Sequence, residues 1–377
     1  MISPRRLLGM ALLIVLSVTG YGVGRLRRDV VDFEVYQTAG ARVLHAEPLY
    51  RDEDGHFQYK YLPAFALAMT VFAYGDIEVW KAVWFAINIG WLVWFFQQSV
   101  TLLPERRRSR TLLYTLIVIL SVKFIVKELV NGQTNLMLGV FVMAGLAAAL
   151  RGRPKLAGVW IAAAVFVKPY ALIMVPWMMV SLEASALVAF GAATIIGLLL
   201  PAAIYGWSGN IALLAGWFHG ATSTTAPNLL IRDATSLAAM WAKWIGPGPH
   251  AQLFTLITSM ALVAVAIPVW LRRRGVAAPA FLEVGLLLLM VPLLSPQGWD
   301  YVFILGAPAI VCLVDRWRDV TWPWRIAIAL SLFLMCLLSF DTVGQRWYMV
   351  VTTYSIVTIG GLASIGCLTR LRFKALA

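Results

Sequence analysis

Residues 106–155 read RRRSRTLLYTLIVILSVKFIVKELVNGQTNLMLGVFVMAGLAAALRGRPK. Two apolar runs, at about 111–128 and 133–150, flank the polar turn Asn131-Gly132-Gln133-Thr134-Asn135. Basic clusters close both ends: Arg106-Arg107-Arg108 with Arg110 before the pair, Arg151, Arg153 and Lys155 after it. Such runs form a helical hairpin that enters and leaves a membrane on one side. Lys and Arg collect on the cytoplasmic side of membrane spans, so the polar turn falls on the opposite face.

Composition extends this reading to the whole chain. The 377 residues are 61% hydrophobic and 13% charged. A soluble domain is about 45–50% apolar and about 25% charged. These values exclude a soluble globular protein, a disordered chain and a disulfide scaffold, and require an integral membrane protein. The net charge of +13 then reads as basic residues gathered on the inner side rather than as a nucleic-acid surface. Cys312, Cys336 and Cys367 all lie in apolar runs, so no disulfide framework is expected.

Further apolar runs lie at about 7–24, 61–74, 79–100, 156–182, 184–205, 251–271, 281–294, 301–314, 325–340 and 347–367. The first precedes Arg25, Arg27 and Arg28 with no small-residue cleavage pattern, and reads as a retained span. More basic clusters follow at Arg272 to Arg274, at Arg316, Arg318 and Arg325, and at Arg370, Arg372 and Lys374. Placing every cluster inside fixes the parity of the crossings. Run 156–182 must then cross twice, breaking at Lys168-Pro169, because Pro ends or kinks a helix. Run 61–74 is too short to cross and reads as an interfacial or re-entrant helix behind Pro63. The expectation is an all-α polytopic membrane protein, one transmembrane domain over residues 1–377, with about 12 spans and both ends cytoplasmic. Inner segments then hold 18 Lys/Arg and 5 Asp/Glu, outer segments 13 of each, with all four histidines outside. Two outer segments are long, 25–78 and 206–250.

The polar residues that could carry chemistry concentrate on that outer face. Asp32 opens a short amphipathic helix containing Tyr36 and Ala39, with Glu34 two residues on. The plainer reading of Asp32 is a helix cap. Its place beside three arginines, just beyond a span, favours work on a lipid headgroup. Tyr59-Lys60-Tyr61-Leu62-Pro63 suits an interface, where Tyr anchors. Acids at Asp52 and Asp54 around His56 read as a solvated turn rather than a metal site. The turn Asn131 to Asn135 supplies side-chain amides, Gln133 and Asn135 among them, that suit hydroxyl-rich ligands. Lys127 and Glu128 precede it and read as a pair. Lys168, at a helix break, must snorkel, pair or hold an anion. His219, Asn228 and Arg232 occupy the second long segment, and Arg suits phosphate through its planar fork. Trp299, Asp300 and Tyr301 form another outer turn, a stacking platform or an interface anchor. No phosphate-cradling Gly-rich loop, zinc spacing or nucleophile elbow occurs in the sequence.

The ordered set resembles the GT-C membrane glycosyltransferases, and within them glycosyltransferase family 87, which includes polyprenol-phosphate-mannose-dependent mannosyltransferases. The residues that carry the resemblance are Asp32-x-x-x-Tyr36 with Ala39, Glu47-Pro48-Leu49-Tyr50, Tyr61-Leu62-Pro63-Ala64-Phe65, Asn131 to Asn135, Leu156-Ala157-Gly158, Lys168-Pro169-Tyr170, Asn228 with Arg232, and Ser295-Pro296-x-x-Trp299. Where some relatives carry His after that last turn, this chain has Asp300-Tyr301. The resemblance implies a GT-C-like fold and an inverting hexosyltransferase that moves a sugar, mannose first, from a polyprenyl-phosphate donor to a lipid or glycan acceptor. Localisation in a bacterial plasma membrane, with the site on the outer face, accompanies it. Asp32 is the implied general base, with Glu34 as the second catalytic candidate. Lys168, Arg232, Arg25, Arg28 and Lys127 would hold the donor phosphate. Tyr36, Tyr61, Gln133, Asn135, His219, Asn228, Trp299 and Asp300 would meet sugar or acceptor. Neither a cofactor nor a nucleic-acid partner is implied. The competing readings are a flippase or transporter of lipid-linked sugars, which would want charges through the full membrane depth, and a non-catalytic assembly partner.

The charge split generates a topological prediction. Single cysteines at Arg108 and Asn228 should label from opposite sides of intact cells, and labelling from the same side would remove the orientation.

Overall fold

A computed structural model describes residues 30–223, 225–273, 276 and 279–374. The expected first span at 7–24, with Arg25 and Arg28, lies outside the described residues. Among those residues the secondary structure is helical, with one isolated antiparallel bridge, Ala234 to Trp299.

In chain order the helices begin with α1 (Val31–Leu44), α2 (Pro63–Met69), α3 (Ile77–Thr101), α4 (Arg110–Asn131), α5 (Asn135–Leu150) and α6 (Pro154–Val167). There follow α7 (Met174–Ser181), α8 (Ala184–Leu199), α9 (Ala202–Ser223), α10 (Thr225–Asn228), α11 (Leu237–Ile245) and α12 (Pro249–Leu271). The chain ends with α13 (Pro279–Leu294), α14 (Ala307–Asp315), α15 (Trp322–Leu332), α16 (Phe340–Thr353) and α17 (Ile356–Lys374).

Among the described residues three helices are long and apolar enough to cross a membrane: Ile77–Thr101, Pro249–Leu271 and Ile356–Phe373. The number rises to five if two bent pairs, Ala184–Leu199 with Ala202–Asn228 and Trp322–Leu337 with Phe340–Thr353, each count as one broken span. That is well below the dozen crossings the charge parity predicts. The difference is one of length. Helices α5 and α13 have 16 residues each, about 24 Å at 1.5 Å per residue, against a hydrocarbon core of about 30 Å. Helix α4 is 22 residues long but carries Lys123, Lys127 and Glu128 along its length. The predicted break at Lys168-Pro169 is present: α6 stops at Val167, Lys168 is extended, and a 3₁₀ turn runs from Pro169 to Ile173 before α7. Helix α2 is short, as the 61–74 run predicts, ending in a 3₁₀ turn at Thr70–Phe72. The 206–250 segment is folded into helices rather than open loop.

The chain divides into two compact units, one of residues 2–95 and 126–226, the other of 96–125 and 227–377. In the first, α5 packs on α6, α6 on α8, and α1 on α2. Gly40 permits the last contact, since a Cβ there would sit 2.5 Å from the Met69 carbonyl oxygen. The core under α1 is aromatic: Phe33 meets Phe72 and Trp84, and Tyr36 meets Tyr61, Phe65 and Trp84. Arg42, near the end of α1, forks onto Asp54 at 2.5 and 2.7 Å and also donates to the Leu49 carbonyl. This ties the 45–62 segment to the helix.

In the second unit, α13 is almost wholly buried. Its one acid, Glu283, meets Arg273 at 2.9 Å and lies 3.9 Å from Arg372. Buried Asp315 accepts the backbone N–H groups of Arg107 at 2.9 Å and Arg108 at 2.8 Å, fixing the basic loop before α4. Lys123 donates to the Leu338 carbonyl at 2.9 Å, which satisfies an ammonium on an apolar helix.

The Arg42 hydrogen bonds hold the Asp54 carboxyl below its ordinary range. A depressed carboxylate contributes stability that is complete above its unfolded value near pH 4 and is lost as pH falls through the folded value. Asp54→Asn should therefore cost about 1.5–3 kcal/mol at pH 7. The gap to wild type in thermal unfolding should close as the pH is lowered through that window.

Candidate active site

The sequence order of the first unit brings one cluster together. Helix α4 ends at Asn131, Gly132 takes a left-handed φ of 70°, and α5 starts at Asn135. Gly132 is needed here for its φ and for space, because a Cβ would meet a Val30 methyl at 2.6 Å. Val30 is itself left-handed, at φ 62°, which strains a β-branched residue. Its N–H donates to the Val130 carbonyl at 2.6 Å, and Trp84 Nε1 donates to the Gly132 carbonyl at 2.8 Å. The start of α1 is thus fastened to the end of α4.

That fastening sets Asp32 beside the polar turn. Val30, not Asp32, occupies the N-cap of α1, and its side chain makes no capping hydrogen bond. The helix-cap reading of Asp32 is therefore corrected. Asp32 lies within the first turn, where a carboxylate still meets the positive end of the helix dipole. It accepts a hydrogen bond from Gln133 Nε2. Gln133 Oε1 accepts from Lys168 Nζ at 3.2 Å, and Lys168 also donates to Asn135 Oδ1 at 2.8 Å. Asn135 Nδ2 donates to Glu128 Oε2 at 2.8 Å, and the Leu136 N–H to Glu128 Oε1 at 3.0 Å. A continuous chain thus runs Asp32, Gln133, Lys168, Asn135, Glu128. Asn135 and Glu128 are fully buried.

Tyrosines line the same place. Tyr36 and Tyr61 share a hydrogen bond of 2.8 Å between hydroxyls. Lys168 Nζ lies 6.0 Å from the Tyr61 ring centre. Burial, and after it the negative charge of Asp32, pushes the Tyr61 phenol above its ordinary value, so it stays protonated and able to donate. Burial lowers the Lys60 ammonium, while Asp32 opposes that shift. Asp32 thus acts on two neighbours at once.

Glu34 departs from this cluster. Its carboxylate pairs with Lys81, itself nearly inaccessible, at 2.5 Å. Residues two apart on a helix do not share a face. Glu128 turns away from the predicted pair with Lys127 and is satisfied by Asn135 and Leu136 instead. Lys127 is half-buried and His219 exposed. The sequence reading did not place Lys60 beside Asp32 or Glu128 in this chain of hydrogen bonds. A carboxylate in an apolar stretch was the available signal for the latter.

The remaining predicted residues belong to the second unit. Asn228 Nδ2 donates to Gln297 Oε1 at 3.4 Å. The Thr235 N–H donates to the Gly298 carbonyl at 2.7 Å, and the Asp300 N–H to the Asp233 carbonyl at 3.0 Å. Trp299 lies parallel to Tyr301, 6.5 Å between ring centres. Arg232 is exposed, and Lys243 donates to its carbonyl and to those of Ala234 and Thr352. Burial pushes the Lys243 ammonium down to about 8 against the attraction of Asp233 and Asp300. The cavity bounded by Arg232, Lys243, Asp300 and Tyr348 has about 10 Å³, room for about one water and no sugar. Among the described residues no group of three or more His, Cys, Asp or Glu could hold a metal ion.

A family model, that of glycosyltransferase family 87, matches residues 59–296, more than half of the chain. No curated protein and no solved structure matches it.

The buried chain of hydrogen bonds makes a testable pair. Glu128→Gln should cost about 1–3 kcal/mol by leaving a buried group mismatched. Combined with Lys168→Met, the loss should fall short of the sum by at least about 0.5 kcal/mol. Additive losses in denaturant unfolding would break the link.

Proposed function

The chain belongs to glycosyltransferase family 87, and on that premise we propose that it moves a hexose, mannose first, from a polyprenyl-phosphate-sugar donor to a lipid or glycan acceptor. The observation that carries this reading is Asp32, held by Gln133 in a cluster with the Lys168 ammonium. Transfer from a lipid phosphate has two needs, a base for the acceptor hydroxyl and positive charge for the departing phosphate. This cluster can meet both without a nucleotide site.

In the proposed reaction, the acceptor hydroxyl loses its proton to an Asp32 carboxylate oxygen as its oxygen attacks the anomeric carbon. The bond from that carbon to the phosphate oxygen breaks, and its electron pair leaves with the phosphate. A single displacement inverts the anomeric centre, so a β-linked donor yields an α-linked product. Lys168 has three N–H donors, of which Gln133 and Asn135 engage two. The third, with Lys60 and Lys127, is suited to phosphate. Tyr36, Tyr61 and the amides of Gln133 and Asn135 would orient sugar hydroxyls. The split of charge between inner and outer segments supports a reaction on the outer face, and the family resemblance implies a bacterial plasma membrane.

Asp32→Asn preserves size while removing proton acceptance. Transfer should fall by about 10²–10⁴-fold, with donor binding little changed. Purified protein would be incubated with polyprenyl-phosphate mannose, glucose or arabinose and lipid acceptors, and the products read by mass spectrometry. Wild-type turnover in a folded Asp32→Asn variant would end the assignment.

A further inference from the structure

Helix α16 interrupts the last apolar stretch of the chain. Residues 347–367 read as one apolar run, yet α16 ends at Thr353, Ser355 is left-handed at φ 53°, and α17 starts afresh at Ile356. Gly344, at φ 74°, breaks α16 near its start, so regular helix runs only over 345–353. That is about 14 Å at 1.5 Å per residue, half of what a crossing needs. The helix before it, Trp322–Leu337, meets it at a bend of 95°. Exposed Ile326, Leu330 and Phe333 follow one another at helical spacing along that preceding helix, an apolar stripe of the kind a bilayer covers. Transmembrane helices tilt by about 20° on average. A span that stands so and then turns through a right angle delivers α16 close to the membrane plane. The bend is fixed: the Thr342 hydroxyl donates to the Leu337 carbonyl at 2.6 Å and accepts the Ser339 N–H at 2.9 Å.

Around its axis α16 has three sides. On the first, Val351 is buried, the Tyr348 hydroxyl donates to Asp233 Oδ1 at 2.6 Å, and the Thr352 carbonyl accepts Lys243 Nζ at 3.3 Å. These residues fasten the helix to the second unit. Gln345, Arg346 and Thr353, with Met349, form a second side that is exposed and mostly polar. Trp347, Val350 and Tyr354 are three and four residues apart, which stacks them on the third. Trp347 is 63% and Tyr354 58% exposed. An exposed apolar side next to an exposed polar one suits neither bulk water nor hydrocarbon, but the boundary between them. Trp and Tyr collect at that boundary because their rings are apolar and their N–H and O–H groups polar.

We propose that α16 lies flat in the membrane–water boundary, docked by Trp347, Val350 and Tyr354 onto the bilayer that the chain itself spans. The occupant of this surface is phospholipid, headgroup and upper acyl chain. The chain reaches the surface directly from the lipid-facing stripe of the preceding helix, and Arg346 beside it matches the phosphates of the headgroups. Through Tyr348 and Lys243 the same helix holds the Asp233 segment at headgroup depth.

The test places nitroxide labels by Arg346→Cys, Trp347→Cys, Val350→Cys, Thr353→Cys and Tyr354→Cys in the full-length protein, reconstituted in vesicles of phosphatidylcholine and phosphatidylglycerol. Cys312, Cys336 and Cys367 are buried and contribute little label. The substituted positions are exposed, so the variants should fold, which thermal unfolding checks, and the pattern stays readable if one is lost. Electron paramagnetic resonance reads collisions with oxygen, which partitions into lipid, and with a water-soluble nickel chelate. The oxygen-to-nickel ratio should be severalfold higher at 347, 350 and 354 than at 346 and 353, with 347, 350 and 354 at one depth. Depth that increases steadily from 346 to 354 would mean a crossing helix, and equal nickel access at every position a helix in water. Protection of 347 and 350 from both reagents, with dipolar broadening between labels, would mean a second copy of the chain on this side. Each of these results would overturn the proposal.

Discussion

Glu128 is a carboxylate with no accessible surface, and a buried charge is tolerated only where donors and a counter-charge meet it. Much of the first unit's polar arrangement follows from that requirement. Asn135 and the Leu136 N–H satisfy its oxygens, and Lys168 and Glu128 attract one another electrostatically. Asn135 in turn presents its oxygen to Lys168, and Lys168 orients Gln133 by taking its oxygen. That leaves the Gln133 amide N–H₂ directed at Asp32. The orientation of the amide is therefore dictated from the buried end of the chain, not from the exposed one. Such networks are rigid when every member is satisfied, and a base and an anion site both need rigidity.

Backbone strain complements this network. Left-handed Val30 and Gly132 face one another across a gap that would not admit a Cβ on the glycine. A valine at φ 62° persists only because its surroundings over-determine it. The compensating contacts are the Val30 N–H on Val130 and the Trp84 indole on Gly132. The consequence is positional: the first turn of α1 cannot slide relative to the turn that carries Gln133 and Asn135.

The parts of this arrangement that are legible in the sequence are those with a local physical cause. Proline forces the break after Lys168, glycine forces the turn after Asn131, and the amphipathic stretch after Asp32 is a helix. Opposite causes hide the rest. The partner of Glu34 is Lys81, on a different helix, and no local pattern announces a pair so far apart in sequence. Adjacent Lys127 and Glu128 read as partners, but adjacent residues on a helix diverge. Hydropathy overestimates helix length where an apolar run continues through a cap, as the 156–182 run does at Lys168. Among the described residues, the helices long enough to cross are fewer than the crossings the charge parity predicts. Cap geometry, unlike hydropathy, depends on neighbours that the run itself does not contain.

The two acids of α1 show why spacing alone does not decide between them. Both lie in its first turn, both meet the positive end of its dipole, and both precede an apolar core. Their immediate surroundings separate them. Glu34 meets an ammonium at 2.5 Å, so its carboxylate is committed to an ion pair on the far side of the helix from the polar turn. Asp32 accepts a hydrogen bond from the Gln133 amide. Its lysine neighbour, Lys168, donates to the amide oxygens of Gln133 and Asn135. The Gln133 amide lies between the Asp32 carboxylate and the Lys168 ammonium and is hydrogen-bonded to both. In the proposed displacement, the insertion of Gln133 between Asp32 and Lys168 sets the base and the cation for the phosphate in one small cluster.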